Sequence, residues 1–145
     1  MTTRMNPTQT LKLLFIIIGI FFFVACSDSS ASKNCSLYKE GTFSYHYKNG
    51  EKVFHVTFTR KGPDQTEKSE EDGYIDKYKI LWTDSCSYDL IFIEGSENQP
   101  KDLLNYKRKN VVHTTILSGT NKYYLFKSTS DLNDRVIQDT IWLAR

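Results

Sequence analysis

The sequence predicts an all-β domain, an antiparallel up-and-down meander of about eight strands. Large apolar side chains recur at every second position in successive short segments, turn residues separate those segments at regular intervals, and one pair of segments flanks Asn49-Gly50. Period-two alternation marks a strand with one buried face, and Asn-Gly between two such runs is a strong hairpin signal. Short connections favour the meander over any parallel arrangement. Because a meander leaves two unpaired edges, full or nearly full closure is expected, as a lipocalin-like barrel or a strongly curved sheet. A two-sheet sandwich is the alternative.

In the first hairpin Phe43, Tyr45 and Tyr47 alternate with polar residues, and so do Phe54, Val56 and Phe58. A two-residue Asn49-Gly50 loop would pair Lys48 with Glu51, Tyr45 with Phe54 and Phe43 with Val56, leaving Val53 alone among large apolar residues on the outer face. Gly62-Pro63 marks the next turn. Asp64 to Ser69 reads as a short polar edge strand before the charged turn Glu70-Glu71-Asp72-Gly73. Tyr74 to Trp82 carries Tyr78, Ile80 and Trp82 on one side, Thr83-Asp84-Ser85 turns the chain, and Cys86, Tyr88, Leu90 and Phe92 share a face of the fifth strand. Residues 95–109 are the longest irregular stretch, where Pro100, Asp102, Leu103, Leu104 and Tyr106 fit one or two helical turns. Val111 to Ser118, Lys122 to Ser128 and Val136 to Leu143 supply the last strands, separated by Gly119-Thr120-Asn121 and by residues 130–134.

Before this domain lies Leu11 to Cys26, LKLLFIIIGIFFFVAC, preceded by Arg4 and by no acidic residue. The uncharged run from Leu13 to Ala25 is too short to span a bilayer comfortably, which takes about 20 apolar residues, and suits a secretory h-region of roughly 7–15. With Val24, Ala25 and Cys26 followed by Ser27-Asp28-Ser29-Ser30, the N-terminus resembles a bacterial lipoprotein signal, with Phe23 where such signals prefer Leu. The resemblance implies removal of residues 1–25, a diacylglyceryl thioether on Cys26 and acylation of its new amino group. Two or three acyl chains hold a protein firmly, each buried methylene adding about 0.8 kcal/mol. Residues 26–34 would be the lipidated cysteine and a flexible tether with a reach of roughly 15 Å, and residues 35–145 a single β domain, expected to be monomeric. Ser27 in the second mature position is unlike the aspartate associated with inner-membrane retention, so the expected site is the outer membrane of a Gram-negative cell envelope, on its periplasmic face or at the cell surface.

Loss of Arg4 and Lys12 with the signal leaves 17 basic against 17 acidic residues. That neutrality excludes the basic excess of a nucleic-acid binder. Of three cysteines, Cys26 is assigned to lipid, and Cys35 and Cys86 lie in an exported chain where disulfides persist. Their pairing is expected, with two separate buried thiols as the alternative. No C-x-x-C or Cys/His cluster points to a metal or redox centre, and no cofactor is implied.

Arg60 continues the parity of Phe54, Val56 and Phe58, so it should point inward, while Gln65 and Glu67 share a parity on the next strand. An inward Arg must be paired, and Glu67 is the expected partner at a barrel mouth. Beneath them Tyr78, Trp82 and Tyr88 would form an aromatic wall suited to a small amphipathic ligand. The competing reading is a salt bridge that only plugs one end. Cys35, Arg60, Gln65 with Glu67, Trp82, and then Asp84, Cys86, Tyr88 and Leu90 together resemble a family of short Bacteroidota lipoproteins, over about half of the mature chain. Some members carry a label after DNA topoisomerase IV, whose machinery a neutral 120-residue lipidated domain could not house. The resemblance implies no activity, and strengthens the Cys35–Cys86 pairing.

His46 and His55 would lie diagonally across the first hairpin as surface residues, and His113 sits on a distant strand. No G-x-S-x-G, H-E-x-x-H or Gly-rich phosphate loop is present, so no catalytic site is expected. Ser118-Gly119-Thr120-Asn121-Lys122-Tyr123 faintly resembles the Ser-Gly-x-x-Tyr hairpin of periplasmic lysozyme inhibitors, with one extra residue before Tyr123; the plainer reading is an ordinary turn. Two non-catalytic functions are therefore expected to compete. One is a carrier of a small ligand inside the barrel. The other is a protein-interaction module, such as an inhibitor or envelope-assembly accessory, using loops 95–109 and 118–123.

Overall fold

Between Asn34 and Ala144, the residues that the computed structural model describes, the period-two segments form eight antiparallel strands. They are β1 (Gly41–Asn49), β2 (Lys52–Lys61), β3 (Asp64–Ser69), β4 (Ile75–Trp82), β5 (Ser87–Gly95), β6 (Val111–Gly119), β7 (Tyr123–Ser130) and β8 (Asn133–Leu143). Each pairs with its sequence neighbours, and β8 returns to β1, so the meander closes into a lipocalin-like barrel. A short 3-10 helix, Cys35–Tyr38, precedes β1, and helix α1 (Lys101–Lys109) joins β5 to β6. Residues 1–25, the expected lipidation site Cys26 and the expected tether as far as residue 33 lie outside the described residues.

The first hairpin keeps its expected faces but not its expected register. Phe43 pairs with Phe58, Tyr45 with Val56, Tyr47 with Phe54 and Asn49 with Lys52, a slip of two positions that leaves every side chain on its own side. The reason lies in the turn. Gly50 has φ +63° and no described non-glycine residue has positive φ, so glycine takes the first central position and Glu51 the second, as in a type II′ loop rather than the Asn-Gly loop with both residues left-handed. Asp64–Ser69 is no edge strand, since β3 pairs with β2 on one side and β4 on the other. The helical turns expected after Pro100 extend to nine residues, with Asp102 in the first turn and Lys107, Arg108 and Lys109 in the last, each sign placed where the helix dipole favours it. Only Asp131 and Leu132 separate β7 from β8, because β8 begins earlier than its apolar pattern.

The two ends of the barrel differ. At the end where β1 starts, the 3-10 helix folds beneath the strands with Cys35 and Tyr38 buried. Cys35 is bonded to Cys86 in the β4–β5 turn, with Cα atoms 5.3 Å apart. Asp84 shapes that turn by accepting the backbone N–H groups of Cys86 at 2.6 Å and Ser87 at 2.7 Å. Tyr38 packs on the Tyr124 ring, centroids 4.7 Å apart, and donates its hydroxyl to the Thr120 carbonyl at 2.9 Å. The buried apolar core, including Phe43, Phe58, Ile80, Ile116 and Tyr124, gathers at this sealed end.

Toward the other end the barrel opens. β1 and β8 pair only at Phe43 with Leu143 and Ser44 with Trp142, extended by the Ala144 N–H bond to the Thr42 carbonyl at 2.9 Å. Beyond that the two strands diverge, and every residue from Asn133 to Asp139 is exposed. Helix α1 crosses the open end, tied down where the Lys107 ammonium meets Asp76 at 2.5 Å and the Gln99 amide meets the same carboxylate at 2.8 Å. Among the described residues, the eight paired strands and the two disulfide cysteines lie between residues 35 and 143.

Gly119 holds the sealed end shut by having no side chain. A Cβ there would overlap the Tyr38 hydroxyl and come within 2.8 Å of the Tyr124 Cβ. Gly119→Ala should therefore unseat Tyr38 and lower the unfolding free energy by about 1–3 kcal/mol, read from the urea midpoint. An unchanged midpoint would show that Tyr38 does not close the barrel.

Candidate functional site

Strand parity carries Arg60 inward at the end of β2, and the residue is 2% exposed. It lies deep at the sealed end, not at a mouth. Its Nε donates to Gln65 Oε1 at 2.7 Å, Nη1 to the Tyr38 carbonyl at 2.9 Å and Nη2 to the Tyr88 hydroxyl at 2.6 Å. Four rings surround it, with the guanidinium carbon 4.5 Å from the Tyr88 centroid, 5.0 Å from Phe58, 5.3 Å from Phe43 and 5.9 Å from Tyr124. Burial works to lower its pKa, but the Tyr88 and Tyr124 hydroxyls outweigh that effect and hold it raised. Its charge is spent inside the protein.

The expected Arg60–Glu67 salt bridge does not form. Gln65 stands between them, accepting from Arg60 and donating its Nε2 to Glu67 Oε1 at 2.5 Å. Gln65 and Glu67 are two residues apart on one face of β3, so only the nearer reaches the guanidinium in the Arg60–Gln65 register pair. Glu67 instead points into the hollow half of the barrel. Burial pushes its carboxyl pKa up, the Gln65 amide draws it down, and Asp76 adds to the rise. The Tyr45 hydroxyl approaches Glu67 Oε2 at 3.4 Å, and the Tyr45 pKa is raised mainly by burial and then by that carboxylate. Tyr78 is likewise raised by burial first and Glu67 second.

Above Arg60 the interior is a cavity of about 790 Å³, reached along the gap between β1 and β8. That volume falls in the usual range for small-molecule sites, roughly 300–1,000 Å³. Arg60, Gln65 and Tyr88 form its floor, Glu67 and Tyr78 one wall, and Leu90, Val112, Thr114, Phe126 and Ser128 the opposite wall. The Thr114 and Ser128 hydroxyls bond each other at 2.8 Å, which satisfies both. Arg135, Val136 and Ile137 line the gap from the β8 side, and His46 and Lys48 from β1.

Five of the six predicted ligand residues, Arg60, Gln65, Glu67, Tyr78 and Tyr88, thus converge on one cavity. Trp82 does not line it. Its ring packs on Tyr88 at 4.9 Å and beneath the Lys39 ammonium at 4.7 Å, at the sealed end, because parity sets its face but its position at the last residue of β4 sets its level. The wall residues Leu90, Val112, Thr114, Phe126 and Ser128 share inward parity with neighbours already assigned to the core, and that shared parity was the available signal. The lateral gap had a fainter one, since the consecutive apolar residues Val136 and Ile137 break period-two alternation.

Loops 95–109 and 118–123 stand at opposite ends, separated by the whole of β6. His46 lies directly across from His55, not diagonally, with ring centroids 6.3 Å apart, a consequence of the hairpin register. His55 Nδ1 is engaged by Glu71 at 2.6 Å, and among the described residues no three side chains are arranged to hold a metal ion. His113 bridges two carboxylates on the outer surface, Nδ1 to Asp89 and Nε2 to Asp131, each at 2.8 Å. No protein-family model, curated protein or solved structure matches the chain, so function must be read from its own residues.

Arg60→Met should lower the unfolding free energy by roughly 3–5 kcal/mol, because the Tyr38 carbonyl, the Tyr88 hydroxyl and Gln65 lose a buried partner together. Denaturant titration would show it, and a loss below about 1 kcal/mol would mean that the network is dispensable. His113 should titrate above its ordinary value of 6.5, raised by Asp131 first and Asp89 second. Its contribution to stability is then complete below 6.5 and fades as pH rises through the raised value. Nuclear magnetic resonance titration of the ring protons should show the shift, and Asp131→Asn should reduce it.

Proposed function

We propose that this protein is a non-catalytic binding protein of the Gram-negative cell envelope that carries a small amphipathic ligand in the open half of its barrel. The observation that carries the reading is the cavity of about 790 Å³, in which apolar and aromatic walls at Tyr78, Leu90, Val112 and Phe126 meet polar groups such as Gln65 and Glu67, a pairing suited to an amphipathic small molecule. Opening between β1 and β8 gives a ligand a lateral path that a fully paired barrel would deny. A sealed end built on Arg60 gives the cavity a rigid floor. The signal-like residues 1–25 and Cys26 support attachment to the outer membrane through acyl chains, with the tether letting the barrel stand off the bilayer. Nothing arranged like a nucleophile and base lies among the cavity residues, which favours binding over catalysis.

The alternative, an interaction module acting through loops 95–109 and 118–123, would need a partner that reaches both ends of the barrel at once. That demand makes the carrier the better reading.

A neutral apolar dye such as N-phenyl-1-naphthylamine should bind the domain and brighten on doing so. Val112→Trp, which puts a large ring on the cavity wall, should weaken that binding at least tenfold while the urea midpoint stays near the parent value. Equal affinity in a folded variant would place the dye elsewhere and remove the cavity from the account.

A further inference from the structure

Glu67 is the one carboxylate that the described interior turns toward the cavity away from its rim, since the other acidic lining residue, Asp139, is exposed on β8. An ionised carboxylate offers about four acceptor positions. Here Gln65 fills one at 2.5 Å, while the Tyr45 hydroxyl stands at 3.4 Å, beyond the usual length of such a bond. Arg60 does not reach Glu67, being engaged by Gln65, Tyr38 and Tyr88. The cavity therefore contains a carboxylate with spare acceptor capacity. Tyr45 and Tyr78 stand beside it and Phe58 is its register partner on β2, and all three also line the cavity. A carboxylate among aromatic faces suits an organic cation, which gains from both the charge and the ring quadrupoles.

We propose that the ligand is a cationic amphiphile whose ammonium head is held by the Glu67 carboxylate among Tyr45 and Tyr78, with its apolar tail against Leu90, Val112 and Phe126. This rests on the carrier reading above and adds the sign of the ligand's charge. The basic residues at the gap, Lys48 and Arg135, argue for an anion, but both are exposed and screened by solvent and salt. Inside the cavity the Arg60 guanidinium also lines the floor, but its donors are engaged by Gln65, Tyr38 and Tyr88. Of the two interior charges Glu67 is therefore the one that keeps hydrogen-bonding capacity for a ligand, and interior charges are less screened than those at the gap.

The test titrates decylammonium, decanoate and decanol, one tail with three heads, into oxidised residues 27–145 at physiological ionic strength, read by calorimetry. Decylammonium should bind at least tenfold tighter than decanoate. Glu67→Gln should weaken decylammonium at least tenfold and leave decanol within about twofold, the decanol value also reporting that the variant is folded. Decanoate binding as tightly as decylammonium, or a Glu67→Gln variant that keeps the preference for ammonium, would overturn the assignment while leaving the carrier reading intact. Binding of none of the three would overturn both.

Discussion

A guanidinium cannot be taken out of water unless its donors are met, and the burial of Arg60 dictates what the sealed end must look like. Three elements answer that demand: β3 sends Gln65, β5 sends the Tyr88 hydroxyl, and the segment before β1 sends the Tyr38 carbonyl. The last is the most telling, because a backbone carbonyl reaches the guanidinium only with the 3-10 helix folded against this end of the barrel, where Cys35 and Tyr38 are buried. The Cys35–Cys86 bond and the Tyr38–Tyr124 packing hold it so. Closing a loop of this length by a disulfide is worth roughly 4 kcal/mol in the chain-entropy account. Covalent, aromatic and polar contacts therefore converge on the same few residues.

That concentration leaves the other half of the barrel hollow. Arg60 and the rings of Phe43, Phe58 and Tyr124 are packed low, where β1 and β8 pair; high in the barrel the strands part, and the β6 and β7 walls include smaller groups such as Val112, Thr114 and Ser128. Helix α1 is anchored at Asp76 on the β4 side, opposite the gap in the strand order, and bridges to the β7–β8 turn through the Asn133 amide and the Tyr106 hydroxyl at 3.0 Å. Rigidity at one end and access at the other are the two properties a carrier needs. Glu67 sits at the boundary between them, joined to the sealed network through Gln65 and open to the cavity above.

Much of this was legible in the chain. Period-two alternation located the strands and assigned the inward faces of Phe43, Tyr45, Phe58 and Arg60, and the short connections implied a meander that closes. Parity also has a limit, because it names a face and not a level. It could not distinguish a register from one shifted by two, which is why the first hairpin slipped while its faces stayed correct. The same limit made Glu67 the expected partner of Arg60 where the register supplies Gln65, and brought Trp82 into the cavity wall when its ring packs on Tyr88 at the sealed end. Tyr38 had no pattern to reveal it, since it belongs to no strand and its function depends on a carbonyl that every residue possesses. The parting of β1 from β8 is a tertiary event with only the Val136-Ile137 break to announce it.

The most direct test of a hollow half above a sealed half is where a bound chain touches the protein. Intermolecular nuclear Overhauser effects from decanol, collected on the methyl-labelled domain, should reach the methyl groups of Leu90 and Val112 and stay absent from Ile80 and Ile116 in the sealed core. Contacts confined to exposed residues such as Leu81 and Ile93 would place the ligand on the outer face and contradict the account.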